Sequence, residues 1–105
     1  MDTRLGIEGL NRTVATKSDH GVKFEIAEVV FDDFLHIKRH DDDSSEYEER
    51  WQTIGTARQV LFVVYTEVGE DDIRLISARV ADPKERRIYH GIGKTYPYGW
   101  ERANY

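Results

Sequence analysis

The chain has no cysteine, only two prolines and a single methionine among its 105 residues. Without cysteine it can build neither a disulfide framework nor a thiolate metal site, so its stability has to come from a packed core. This suits a reducing compartment, and the cytoplasm is the expected location. Long hydrophobic runs are also missing. The longest uninterrupted one covers only Val60 to Tyr65, far short of the roughly 20 apolar residues that span a bilayer. The opening MDTRLGIEGL has no basic stretch followed by an apolar run, so neither a signal peptide nor a membrane partner is expected. There is no phosphate-cradling glycine loop and no nucleophile elbow. His20, His36, His40 and His90 show no metal-ligand spacing. No cofactor is therefore expected. Asp41-Asp42-Asp43 offers oxygen ligands but lacks the spacing and glycine of a calcium loop, so it reads as part of a solvated loop.

What the chain does have is charge, unevenly placed. Residues 1–73 hold 8 Lys/Arg against 17 Asp/Glu, a net of -9, whereas residues 74–105 hold 7 against 3, a net of +4. Uneven scatter is common in small proteins. The sharper reading is an anion-binding face on an acidic body. Affinity for phosphate follows local potential, so such a face could hold RNA despite the overall sign.

The length predicts one domain, residues 1–91, followed by an aromatic tail, 92–105. LGIE reads as a short strand, and GLNRTVATKSDHG as a helix ended by Gly21. In VKFEIAEVVFDDF, the residues Phe24, Ala27, Val30 and Phe31, with Phe34 as a candidate, recur at helical spacing and predict a stripe that packs on a sheet. LHIKR, RWQTIGTA, QVLFVVYTE and IRLISARVA read as strands. The third is nearly continuously apolar, so both its faces should be covered and its position central. The short connections favour an antiparallel meander. Asp82-Pro83-Lys84-Glu85 carries an N-cap, a first-position proline and a capping-box glutamate, predicting a helix to about His90 with Gly91 ending it. The tail, rich in glycine and aromatics, is either a flexible end or an arm docked on the sheet. The expected fold class is α+β: N-terminal helices, an antiparallel sheet of three to four strands, and a C-terminal helix.

Arg74 and Arg79 lie in the most basic segment. In a regular strand their odd separation puts them on opposite faces. Both sit within apolar alternation, so at least one needs a sheet end or a buried partner; that partner is either a carboxylate such as Glu67 on the preceding strand, or a phosphate, whose oxygens match the planar guanidinium donors. Lys84, Arg86 and Arg87 fall on the first turns of the C-terminal helix. RNA cleavage requires in principle no metal: a base takes the 2′-hydroxyl proton, a cation stabilises the phosphorane and an acid protonates the leaving oxygen. Arg, Tyr, His, Lys and Glu can share those tasks.

The blocks HGV (20–22), FEIAEVVFDD (24–33), EERWQTIG (48–55), VLFVVYTE (60–67) and above all IRLISARVADPKERRIYH (73–90) resemble the BrnT family of type II toxin–antitoxin toxins. The resemblance implies a RelE-like ribonuclease fold, growth inhibition by cutting RNA, and a BrnA-like ribbon-helix-helix antitoxin that carries the contact with operator DNA. It points to Arg79, Arg74 and Arg50, and less directly to Tyr65, Glu67, Arg86 and Arg87. The expected roles are Arg79 and Arg74 on the scissile phosphate, Glu67 or His20 as base, Tyr65 as acid or stacking partner, and Arg50, Lys84, Arg86 and Arg87 in RNA binding. Two departures, Asp19 where the family usually has a basic residue and Val68 where it often has arginine, sustain an alternative: a weak or inactive member acting as an antitoxin-binding co-repressor module. A small-molecule-binding or oligomerising α+β domain is a third reading. Charge complementarity predicts that basic antitoxin segments dock on the acidic surface, while apolar or acidic ones cover the arginines.

Overall fold

β-Branched and aromatic residues crowd the stretches 50–57 and 59–68, and these form two interior strands of one antiparallel sheet. The computed structural model describes residues 22–44, 48–91 and 96–103. The strands are β1 (Ile37–His40), β2 (Arg50–Ala57), β3 (Gln59–Val68), β4 (Asp72–Val80) and β5 (Glu101–Arg102), in the spatial order β4-β3-β2-β1-β5. The sheet expected to have three to four strands has five. The additional strand comes from the tail, which pairs with β1 through Ile37↔Arg102 and Lys38↔Glu101. The apolar β3 is an interior strand between β2 and β4, and β2 holds the centre.

The apolar stripe at residues 24–31 does pack on the sheet. It begins as the helix α1 (Phe24–Ala27) and tightens into a 3₁₀ turn over Glu28–Asp32. Phe24, Ala27 and Val30 are buried against Ala57, Leu61, Val63, Tyr65, Leu75 and Ala78. Phe34 does not join them and stands 64% exposed. The turn can approach β2 closely because Gly55 has no side chain there: a Cβ at that position would lie 2.6 Å from Val30 Cγ1. The proposed strand LGIE and the helix ending at Gly21 lie outside the described residues.

The opposite face of the sheet is covered by helix α2 (Pro83–Tyr89) and by the tail. The capping box forms as expected. Asp82 accepts from the Glu85 N–H at 2.7 Å, and Glu85 accepts from the Asp82 N–H at 2.9 Å. Gly91 ends the helix at φ +67°, a conformation that favours glycine. Tyr89 and Trp100 are buried there with Ile37, Ile54 and Phe62. Each such large side chain contributes about 1.5–3 kcal/mol of burial. A hydrogen-bond knot ties α2 across the sheet to the 3₁₀ turn. The Tyr89 hydroxyl donates to Asp33 Oδ2 at 2.5 Å and accepts from Thr56 Oγ1 at 2.9 Å. The Thr56 N–H also donates to Asp33 Oδ2, at 2.9 Å. Among the described residues, no helix is long and apolar enough to cross a membrane.

Candidate nucleic-acid interface

The strand parity of Arg74 and Arg79 is not regular. Opposite β3, the register runs Phe62↔Arg79, Val63↔Ala78 and Val64↔Ser77, then skips Ile76 and resumes at Tyr65↔Leu75 and Thr66↔Arg74. This bulge in β4 reverses the alternation. Arg74 and Arg79 therefore lie on the same face of the sheet, which corrects the expectation from their odd separation. It is the face that also carries α2 and the tail.

Arg50 joins them. It pairs with Thr66 on β3, and Thr66 pairs with Arg74 on β4, so the two arginines flank Thr66 in one row across three strands. Two strand spacings put their backbones roughly 10 Å apart. The next row on this face is Arg39, Gln52, Val64 and Ser77, all half-buried. Arg79 lies in the third row, about four residues and roughly 13 Å along the strands from Arg74.

The arginines are held by carboxylates, and by ones other than Glu67. Arg74 Nη2 donates to Glu48 Oε1 at 2.7 Å and to Oε2 at 2.8 Å, and Arg50 Nη2 reaches Glu48 Oε2 at 3.4 Å. One glutamate thus sits between two guanidiniums that come from strands on either side of β3. Its backbone is anchored next door, where the Thr66 hydroxyl donates to the Glu49 carbonyl at 2.6 Å. Arg79 forms a separate two-pronged pair with Glu85: Nη1 to Oε1 at 2.8 Å and Nη2 to Oε2 at 2.7 Å. Its guanidinium also lies 4.3 Å from the Phe62 ring centre. The hydrogen bonds from Arg79 to Glu85, and the charge of that carboxylate, raise the Arg79 pKa above its ordinary value.

At the tail side of the face, Arg39 lies over Trp100 at 4.7 Å, donates to Gln52 Oε1 at 2.8 Å and holds the Tyr98 carbonyl at 2.9 Å. Lys84 Nζ stands 5.2 Å from the centre of the exposed Tyr98 ring. Arg86 and Arg87 are exposed on α2. The result is a strip of sheet with several cations, polar side chains at its centre and aromatic residues at one margin. Such a surface can grip a phosphate backbone and stack bases.

Tyr65 and Glu67 lie on the other face. Tyr65 is buried and packs edge-on against Phe31, with ring centres 5.1 Å apart. Burial, helped by the charge of Glu67, pushes its hydroxyl far above the usual tyrosine range. Glu67 is exposed. The structure does not bring this pair to the arginines. His20 and Asp19 lie outside the described residues. A further titratable group, His40, also belongs to the α1 face. It pairs with Asp42 at 2.6 Å and faces Trp51 at 5.1 Å. The Asp42 hydrogen bond raises its pKa. Among the described residues, no three His, Asp or Glu side chains converge in a way that would hold a metal ion.

Glu48 is the residue that sequence reasoning missed. It lies two positions before Arg50 in the quoted EERWQTIG block, but only three-dimensional pairing links it to Arg74.

No curated protein matches the chain. A family model described as the ribonuclease toxin, BrnT, of type II toxin–antitoxin systems matches residues 11–85. That span covers every strand of the arginine row, and it ends at Glu85, the carboxylate that holds Arg79. It takes in well over half of the 105 residues, and the chain therefore belongs to the BrnT family of ribonuclease toxins, which act on RNA and are paired with an antitoxin.

Proposed function

We propose that this chain is a metal-independent endoribonuclease that cuts RNA on the strip of sheet bearing Arg50, Arg74 and Arg79, and that the cutting arrests translation and growth. The observation that carries this reading is the β4 bulge at Ile76, which puts Arg74 on the same face as Arg79 and in line with Arg50 across Thr66. A regular strand would have split the cations between two faces. Arg50 and Arg74 are the phosphate ligands, because their forked donors match phosphoryl oxygens and stabilise the charge that develops on them. Lys84, Arg86 and Arg87 extend the positive field along α2, and Arg79 mainly fastens that helix to β4. The work is done in the cytoplasm. The neutralising partner is a BrnA-like ribbon-helix-helix antitoxin that covers the strip with acidic or apolar residues and makes the operator contacts itself.

The test is controlled expression in a bacterial host of the wild type, Arg74→Ala and Arg50→Ala/Arg74→Ala, following growth and total RNA together. The wild type is expected to arrest growth and fragment RNA, and the double variant to do neither while remaining folded. Equal RNA damage by wild type and double variant would remove the strip from the mechanism. A second reading, a family member that binds antitoxin and cleaves weakly, draws on the fact that Arg74 and Arg79 already hold carboxylates in the chain. A harmless wild type that still binds its antitoxin tightly would favour it.

A further inference from the structure

We infer that Glu48 is the general base of the cleavage reaction, taking the proton of the RNA 2′-hydroxyl beside a phosphate held by Arg50 and Arg74. This deepens the proposed reading and rests on it. A base in this reaction has to stand within hydrogen-bond reach of the nucleophilic hydroxyl, next to the cations that hold the phosphate. Glu48 meets that requirement. It lies against both Arg74 and Arg50, and its side chain is 35% exposed, so an RNA hydroxyl can reach it.

Its position is also held rather than incidental. Thr66, at the centre of the arginine row, is buried and donates to the Glu49 carbonyl at 2.6 Å. The Asp41 N–H donates to the Arg50 carbonyl at 2.9 Å. The backbone is thus fixed at both of the residues that directly follow Glu48. Both contacts to Arg74 run through one nitrogen, Nη2, of a guanidinium that carries five donors. A phosphate and Glu48 can therefore share Arg74, each on different donors. The adjacent Glu49 faces the other way, 3.4 Å from His40 Nε2, so the two consecutive glutamates serve opposite sides of the sheet.

In the step itself, Glu48 takes the 2′-hydroxyl proton as the 2′-oxygen bonds to phosphorus. The bond from phosphorus to the 5′-oxygen breaks, and that oxygen takes a proton from water. The resulting hydroxide is neutralised by the proton Glu48 releases. The products are a 2′,3′-cyclic phosphate and a 5′-hydroxyl end. The two arginines stay charged throughout and offset the added negative charge on the phosphorane.

A purely structural role for Glu48 predicts something different, and the two can be separated. As a base it should be needed for cleavage but not for binding. Its removal should even free the arginines for phosphate. The experiment uses the full chain as wild type, Glu48→Gln, Glu48→Asp and Arg74→Ala. Cleavage of a labelled RNA is followed in a translating cell extract, which contains ribosomes and free RNA alike. Binding is followed by fluorescence anisotropy on the same oligonucleotide with deoxyribose throughout, which cannot be cut. Glu48→Gln is expected to slow cleavage at least 100-fold, in the range found for loss of a general base, while binding stays equal or tightens. Glu48→Asp is expected to recover part of the rate, and wild-type products should end in cyclic phosphate. Cleavage by Glu48→Gln within about threefold of wild type would overturn the inference. So would a loss of binding in step with cleavage, which would make Glu48 a positioning residue for the arginines. If Arg74→Ala cleaves like the wild type, the proposed strip itself fails. If Arg74→Ala is inactive but Glu48→Gln is not, only the assignment of the base fails.

Discussion

Arg79 is the residue whose alteration is easiest to misread, and its partner Glu85 provides the control. The pair is two-pronged and lies between the exposed and buried limits: side-chain exposure is 33% for Arg79 and 14% for Glu85. Fully exposed ion pairs contribute about 0.2–1 kcal/mol, and hydrogen bonds to charged groups about 1.5–3 kcal/mol when shielded. The coupling between the two side chains should therefore be about 1–2 kcal/mol. Arg79→Ala also removes the contact with Phe62 at 4.3 Å, worth about 0.5–1 kcal/mol at a partly exposed site. Glu85→Ala also removes half of the capping box, worth roughly 1 kcal/mol. Each single variant should lose about 2–3 kcal/mol, which lowers Tm by roughly 10 °C in a domain of this size. Native domains hold only about 5–15 kcal/mol in total, so Arg79→Ala removes a large fraction of that stability and would weaken toxicity by lowering the amount of folded protein in the cell, with no change in how RNA is held. Denaturant titration of the wild type, both single variants and the double variant checks this through the thermodynamic cycle. The double variant should lose about 1–2 kcal/mol less than the two singles added together. A coupling below about 0.5 kcal/mol would refute the reasoning. Arg79 would then be held no more firmly than a surface side chain and would be available to RNA.

Two further predictions concern the frame behind the strip. Gly55→Ala should destabilise the fold by about 1–3 kcal/mol, the range for overpacking, because the new Cβ would meet Val30 Cγ1 at 2.6 Å and His36 Cβ at 2.9 Å. A thermal melt within about 2 °C of wild type, equivalent to roughly half a kcal/mol, would contradict the close packing of the 3₁₀ turn. Tyr89→Phe should lose about 1 kcal/mol at neutral pH, the typical net value of one hydrogen bond. Its loss should also depend on pH. Burial would raise the Asp33 pKa, but the hydrogen bonds from Tyr89 and from the Leu35 and Thr56 N–H groups, with the charge of His36, outweigh it, and the net effect is a lowered value. A depressed carboxyl pKa contributes stability above the unfolded value of about 3.9, and that contribution fades as the pH falls through the folded value. The gap between wild type and Tyr89→Phe should therefore be widest above about pH 5 and shrink below about pH 4. A gap independent of pH would remove Asp33 from the account.

Much of this protein could be read locally. β2 starts at Arg50 and ends at Ala57, as RWQTIGTA implies. The capping box around Asp82 depends on four consecutive residues, so the start of α2 was visible too. The stripe Phe24, Ala27, Val30 is a single-helix pattern and it packs where such a pattern should. The candidate site was legible only in part. Arg50, Arg74 and Arg79 were picked out, but the common face of Arg74 and Arg79 was not, because a parity rule assumes a strand without a bulge. Tyr65 and Glu67 looked like neighbours of Arg74 and Arg79 because they lie on the preceding strand, yet they alternate onto the other side of the sheet. Glu48 was overlooked because its partner Arg74 lies 26 residues away.

Composition, periodicity and capping chemistry depend on residues a few positions apart, so the amino-acid order was enough for the α+β class, four of the strands, α2 and the excess of cations in the last third. Register, by contrast, is an agreement between two strands. Whether β4 skips Ile76 depends on what β3 and both covering layers accept, and that choice moved Arg74 to the face of Arg79. The same holds for the tail, whose residues Glu101–Arg102 become a strand only because β1 offers an unpaired edge and Trp100 finds a buried seat against Phe62. It holds also for Glu48, which sits between two arginines only once three strands have been aligned across Thr66. Such contacts between distant parts of the chain form together or not at all, and no short stretch of sequence carries them.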